Sequence, residues 1–163
     1  MSLVGRPRSF RKKFLFDVEI PGIGWTGFQK CSEIKSTTAV VEQWEGGGIL
    51  SWRVAYDSPG RVKVADVTLE RGATADLDLW EWYRQVNDGS SGEGLLDDRY
   101  KRLVNVVERD RDGAALRRWE LHNAWPIEYS AGDRDNTADG NAIESLVLAY
   151  DYFDPDDDES APP

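Results

Sequence analysis

The chain has 163 residues, of which 30 are acidic and 20 are basic, so its formal net charge is −10. A body this acidic argues against sequence-specific nucleic-acid binding, because affinity for a phosphate backbone rests on Lys and Arg contacts. Cys31 is the single cysteine, which excludes an intrachain disulfide. No apolar run is long enough for a signal peptide or a membrane span, so we expect no membrane insertion.

The charge is unevenly distributed along the chain. Residues 1–13 contain five bases and no acid, whereas residues 151–163 contain six acids and no base. The pattern predicts three parts: a basic N-terminal arm at 1–13, a folded β domain at 14–153 and a disordered acidic tail at 154–163. The arm is expected to contact an acidic surface of the same or of a neighbouring protein.

Short strands are predicted in the first part of the folded domain. Apolar and polar residues alternate over 14–20, and β-branched residues are frequent over 34–44. A glycine-rich tip and a return limb over 45–56 complete a predicted hairpin with that second strand. A turn is then expected at 57–60, followed by a strand at 62–71.

One helix is predicted, over 77–86. Its apolar positions recur at i, i+3, i+4 and i+7 and share one face, formed by Leu79, Trp82, Tyr83 and Val86. The side chains that point away are those of Asp78, Glu81, Arg84 and Gln85. Thr74 or Asp76 is expected to accept from the free amides at the helix start, and Gly89 is expected to end the helix.

Further strands are predicted after a polar loop that follows the helix. Strands at 103–108 and 116–123 should flank a tight turn at 112–113. A short strand at 126–130 and a long one at 143–153 follow. The whole pattern predicts a mainly β fold, an antiparallel sandwich or barrel with one flanking α-helix.

Few residues carry recognisable chemistry. The sequence GIGWTG has the spacing of a dinucleotide-binding turn, but no helix is predicted after it, so we prefer a glycine-rich turn. His122 is the single histidine, without a neighbouring nucleophile or base. Asp135 begins a calcium-like loop that lacks the glutamate required at its twelfth position. We therefore predict no catalytic, cofactor-binding or metal-binding residues, and no enzymatic activity.

Three blocks of sequence carry a family resemblance. They are FLFDVEIPGIGWTGFQKCSEIKSTTAVVEQWEGG at 14–47, SPGRVKVADVTLERGATADLDLWEWYRQV at 58–86, and RRWELHNAWPIEYSAG at 117–132, which leads to NAIESLVLAYDYF at 141–153. Their order, with PGR before LERG and NAWP before the IESL strand, resembles the tail tube proteins of contractile phage tails and of phage-tail-like contractile injection systems. The resemblance covers most of the chain.

The resemblance implies a structural role in a hollow tube. Subunits would form hexameric rings that stack inside a sheath, and strands of neighbouring subunits would close into one barrel. The partners would be further copies of the chain, the sheath protein, baseplate and terminator proteins, and a payload or tape-measure protein in the lumen. The tube would be assembled in the bacterial cytoplasm, as part of a phage virion or of a released particle. Acidic lumen residues would limit the adhesion of an anionic cargo.

The resemblance also implies where subunits meet. The hairpin at about 41–56 would contact neighbouring subunits or the next ring, through Trp44, Glu45, Gly46, Gly47, Gly48, Trp52 and Arg53. The alternative for its tryptophans is that they cap the core of their own subunit. On the helix, the outer sheath-facing residues would be Asp78, Glu81 and Arg84.

Three other functions fit parts of the pattern. The basic arm, an insertion at 87–102 and the acidic tail depart from the simplest family pattern, which leaves open an adaptor that caps or initiates the tube. The aromatic residues also suit a monomeric ligand-binding β-barrel, in which they would line a pocket. An enzyme would have to use His122.

Overall fold

The computed structural model describes residues 15–45, 54–87 and 98–156. The strands in these ranges are β1 (Phe16–Ile20), β2 (Gly24–Thr26), β3 (Lys30–Cys31), β4 (Ser36–Glu45), β5 (Val54–Val64), β6 (Val67–Gly72), β7 (Arg102–Arg109), β8 (Ala115–Ser130), β9 (Ile143–Ala149) and β10 (Tyr152–Asp156). One α-helix, α1 (Asp78–Asn87), and a 3₁₀ turn at Asp98–Tyr100 complete the described elements. The mainly β fold with a flanking helix is thereby confirmed. Across the described ranges, no helix is long and apolar enough to cross a membrane.

Eight strands form one antiparallel sheet in the order β2-β1-β7-β8-β9-β6-β3, with β10 also paired to β8. The long strand β8 joins two halves of this sheet, because its first part pairs with β7 and β10 and its second part with β9. The ladder with β7 shifts between Leu121 and Ala124, where Asn123 has a φ of 54°. Such a bulge bends a strand and increases its twist, so the two halves turn towards each other.

The core lies between the two halves of the sheet. Val18 of β1 in one half and Leu148 of β9 in the other are completely buried. The apolar face of α1 packs onto this core through Leu79 and Trp82, both buried. The indole Nε1 of Trp82 donates to the carbonyl of Tyr100 at 2.8 Å, which ties the helix to the segment before β7. Burial of side chains of this size contributes roughly 1.5–3 kcal/mol each.

The helix begins at Asp78, one residue after its predicted start. The hydroxyl of Thr74 accepts a hydrogen bond from Asp76, ahead of the helix. The carboxylate of Asp78 instead accepts from a helix amide, that of Leu79 at 3.0 Å. Capping by Thr74 or Asp76 is therefore wrong, because the hydroxyl of Thr74 binds an amide ahead of the helix and the Leu79 amide binds Asp78 instead. The predicted stop at Gly89 lies outside the described residues.

The turn predicted at 57–60 is wrong. Strand β5 runs without a break through these residues, and the chain leaves the hairpin after Val64. Pro59 is compatible with the strand because, among the described strands, β5 pairs only with β4, so its missing N–H can face the open edge. Gly60 fits closely against the opposite strand, where an added Cβ would lie 3.0 Å from the carbonyl oxygen of Ala39.

Strand boundaries also differ in the C-terminal half. The two strands predicted at 116–123 and 126–130 form the single strand β8. The bulge at Asn123 bends this strand without ending it. The strand predicted at 143–153 is instead divided into β9 and β10, and β10 continues to Asp156. The sheet therefore extends into the segment predicted as an acidic tail.

Gly132 is expected to tolerate no side chain. Its φ is 75°, and a Cβ there would lie 2.1 Å from the carbonyl oxygen of Ile143. Gly132→Ala should lower the free energy of unfolding by about 2 kcal/mol or more in guanidinium denaturation, because the backbone is strained and the start of β9 is displaced. Gly24→Ala shares a positive φ of 81° but meets no atom within 4 Å, so it should cost about 1 kcal/mol. Equal losses would contradict the predicted clash.

Candidate subunit interface

Strands β4 and β5 form a hairpin that, in the described part of the chain, pairs with no other strand. The ladder runs from Ser36 opposite Val64 at the root to Glu45 opposite Val54 at the far end. At about 3.4 Å per residue, the far end lies roughly 30 Å from the root. Nearly every described side chain along it is exposed. The predicted hairpin is confirmed, and most of its described length is not packed against the core.

Large apolar side chains are exposed along this hairpin. Val40 and Trp44 are 65% and 60% exposed, and they share a face because alternate residues of a strand point the same way. The exposed set is completed by Val41, Tyr56 and Val62. Several large apolar side chains exposed along one hairpin, on both of its faces, are typical of an interaction site. The hairpin is therefore a candidate interface with another protein subunit.

The residues predicted for this interface fall into two groups. Trp44 is exposed, so the alternative that it caps the core of its own subunit is wrong. Glu45 ends β4. The other predicted interface residues lie outside the described residues: Gly46, Gly47, Gly48, Trp52 and Arg53. The part that the whole set plays between subunits stays a prediction.

Two of the three residues predicted to face outward on α1 are exposed, and the third is not. Glu81 and Arg84 are exposed. Asp78 is half-buried, and its carboxylate accepts from the guanidinium of Arg71 at 2.7 Å, so it does not point away from the sheet. Asp78 lies in the first turn of the helix, close to Arg71 of β6. Helical periodicity alone does not predict this contact, because Arg71 belongs to another element.

Sequence reasoning missed an aromatic cluster beside the helix. Trp80 lies outside the apolar stripe of α1 and is 40% exposed. Its ring centroid is 5.8 Å from that of Tyr83 and 5.5 Å from that of Tyr129 on β8. These tilted ring contacts widen the area over which the helix packs against the sheet.

A buried ion pair lies where the helix meets the sheet. Arg71 of β6 and Glu144 of β9 are opposite each other in the ladder, and the guanidinium Nε donates to the carboxylate. The other oxygen of Glu144 accepts from the hydroxyl of Tyr129 at 3.0 Å. The second arm of Arg71 binds Asp78, and the ring of Phe28 lies 5.9 Å from the guanidinium carbon. Three strands and the helix therefore share one polar network.

The network raises the pKa values of two of its members, Arg71 and Tyr129. Burial lowers the pKa of Arg71, but the hydrogen bonds to Asp78 and Glu144 outweigh it and raise that pKa overall. Burial and the neighbouring Glu144 carboxylate raise the pKa of Tyr129, so its hydroxyl stays protonated and donates. The sequence does contain a signal for this network, because Arg71 continues the inward alternation of Val67 and Leu69.

The residues considered for catalysis, cofactor binding or metal binding lie in surroundings that do not favour those functions. Burial raises the pKa of Cys31 to about 11, so its thiol is protonated at neutral pH and is a poor nucleophile. His122 stacks on Tyr152, with ring centroids 4.3 Å apart. GIGWTG, at 22–27, includes part of the turn after β1 and the whole of strand β2, and no helix opens there. Asp135 accepts from Thr137 within its own loop, and the described residues contain no group of three side chains able to hold a metal.

Comparison with known proteins gives the family. The model of the T4-like virus tail tube protein gp19 family matches residues 12–154. The chain belongs to this family, which confirms the resemblance carried by the three sequence blocks. It is a structural subunit of a tail tube. No curated protein matches the chain.

Solved structures share this fold. A chain of the sheath-tube complex of the extracellular contractile injection system PVC, in the extended state, has a TM-score of 0.75 at 17% identity and covers 93% of this chain and 94% of its own. A chain of the anti-feeding prophage cap has a TM-score of 0.78 at 18% identity, covering 96% and 99%. Hcp1 from Flavobacterium johnsoniae has a TM-score of 0.54 at 14% identity, covering 87% and 94%.

Removing one partner of the buried ion pair should destabilise the subunit strongly. Arg71→Met leaves the Glu144 carboxylate buried without its cation, which should lower the free energy of unfolding by about 3–5 kcal/mol. Combining Arg71→Met with Glu144→Leu should recover part of this loss, because no carboxylate is then buried without its cation, although the hydroxyl of Tyr129 loses its acceptor. Guanidinium denaturation of the wild type, both single variants and the double variant measures the coupling. A double variant as unstable as Arg71→Met would contradict it.

Proposed function

We propose that the chain is the repeating subunit of the inner tube of a contractile tail or contractile injection system, and that it assembles into stacked hexameric rings. The observation that carries this proposal is the exposed apolar hairpin of β4 and β5 on a member of the tail tube family. A subunit that stayed monomeric would leave Val40 and Trp44 in water at a cost of apolar hydration. Assembly removes that cost.

Open sheet edges support the same assembly. Strands β2 and β3 lie at the two ends of the large sheet, and each pairs with one strand only in the described part of the chain. Unpaired edges are usually covered, and pairing with a neighbouring subunit covers them without any new element. Contacts between two different surfaces repeat from copy to copy and close into a ring when the rotation allows.

The function is mechanical rather than catalytic. The tube conducts a payload when the surrounding sheath contracts, so its wall has to be continuous and its lumen has to release the cargo. The acidic composition of the chain supports a lumen that repels an anionic payload. An image of the assembled tube that shows a neutral or basic lumen would remove this part of the proposal.

The proposed partners are further copies of the chain and the other components of such a particle. Copies of the chain meet through the hairpin, and the sheath protein meets the tube at the outer face of α1, where Glu81 and Arg84 are exposed. Baseplate and terminator proteins bind the two ends. The fold shared with chains of a sheath-tube complex and of a tube-terminating cap supports this environment. We place assembly in the bacterial cytoplasm and the finished tube in a phage virion or a released particle.

The length of the assembly distinguishes a tube subunit from an adaptor. Negative-stain electron microscopy of the purified chain should show tubes of many rings. Single rings would favour an adaptor that caps or initiates the tube. A persistent monomer of 18.4 kDa in size-exclusion chromatography at high concentration would overturn both.

Loss of the hairpin tryptophan should prevent assembly. Trp44→Ala removes an exposed ring from the proposed interface, so ring and tube formation should fall by about tenfold or more. Trp80→Ala is the matched control, because Trp80 is also exposed but lies on the helix. Sedimentation and microscopy compare the two variants, with circular dichroism to verify folding. Equal assembly of both variants would argue against the hairpin as the interface.

Exchanging the exposed helix charges should affect the sheath and not the tube. Glu81→Lys with Arg84→Glu keeps the net charge and leaves the Arg71 network intact, because neither residue takes part in it. Rings should form normally, whereas co-sedimentation with the cognate sheath protein should weaken and become less sensitive to salt. If rings fail instead, the helix belongs to the interface between subunits.

A further inference from the structure

Two carboxylates face each other on the exposed hairpin. Glu42 of β4 and Asp57 of β5 are directly opposite in the ladder, and both side chains are exposed. Like charges at such positions have Cβ atoms about 5 Å apart and destabilise the pair. Among the ion pairs of the described residues, none includes either carboxylate. The isolated subunit therefore carries a local repulsion that a cation would relieve.

The acidic pair lies within the apolar surface of the hairpin. Glu42 is two residues from Val40 and two from Trp44, so all three side chains share one face. We call Val40, Glu42, Trp44 and Asp57 the hairpin face. A surface that complements it must combine apolar side chains with positive charge, because a purely apolar partner would bury two carboxylates without compensation.

One segment of this chain has that composition. Residues 1–13 contain Arg6, Arg8, Arg11, Lys12 and Lys13 without an acid, and they also contain Leu3, Val4 and Phe10. Basic residues elsewhere are outnumbered by acids, since the whole chain has 20 bases and 30 acids. The arm therefore combines, without any acid, positive charge and apolar side chains that complement the hairpin face.

We propose that the hairpin face of one subunit binds the basic arm, residues 1–13, of a second copy. The contact deepens the proposed tube function and rests on it, because it joins copies of the chain. The hairpin face runs from Val40, four residues from the root, to Trp44 near the far end, and its side chains are exposed to a second copy. The arm and the hairpin face are different surfaces, so the contact is heterologous. Each subunit binds one neighbour through its arm and another through its hairpin face, and the contact repeats from copy to copy.

Charge reversal in full-length chains tests the contact. One variant carries Glu42→Lys and Asp57→Lys, and the other carries Arg11→Glu, Lys12→Glu and Lys13→Glu. Each alone should reduce the sedimentable tube fraction by about tenfold or more, because like charges then meet across the contact. A chain that carries all five substitutions should assemble again. Asp133→Lys with Asp139→Lys, in an exposed loop, is the control for the change in net charge and should assemble normally.

Mixing the two variants separates a contact between copies from one within a copy. A contact between copies predicts that the mixture assembles, since each arm then finds a hairpin face of opposite charge on the other variant. Assembly of the five-substitution chain without assembly of the mixture would show that the arm binds its own hairpin and would overturn the proposal. Failure of that chain, or normal assembly of each single variant, would also overturn it. If the wild type forms no tubes, the proposed function itself fails.

Discussion

The ion pair between Arg71 and Glu144 is the constraint on which the arrangement of the body depends. The two residues are opposite each other on β6 and β9 and both are buried. A slip of either strand by one residue would place the two charges on opposite faces of the sheet, so the pair fixes the register of the strands. Because Asp78 and Tyr129 bind the same pair, the register also fixes where the helix lies.

The molecule has two parts. The body, formed by the large sheet and α1, buries its apolar side chains, whereas the hairpin of β4 and β5 leaves its apolar side chains exposed. In the body, apolar side chains from both halves of the sheet and from the helix exclude water from one core. In the hairpin, two long strands carry exposed apolar residues on both faces. A protein that builds a tube needs this division, because the subunit has to fold alone and still keep enough unsatisfied surface to join its neighbours.

The sequence predicts the fold class well and its boundaries less well. Alternation in β1 and the i, i+3, i+4, i+7 stripe of α1 are local patterns, so they identify these elements directly. The continuity of β5 through Pro59 and of β8 through Asn123 depends on which edge of a strand is paired, and this is decided by distant residues. The same limit applies to the interface. Trp44 could be proposed from its place beside a glycine-rich tip, whereas the opposition of Glu42 and Asp57 depends on a register that emerges only from the folded hairpin.

The opposed carboxylates also affect how the free subunit behaves before it joins a tube. If two hairpin faces met symmetrically, the contact would bring four carboxylates together around apolar side chains. That repulsion disfavours dead-end dimers, even though the apolar residues would otherwise promote them. Pro59 adds to this by withholding one hydrogen-bond donor from strand addition. The residues that allow the hairpin to bind a neighbouring subunit therefore also limit which surfaces it can bind.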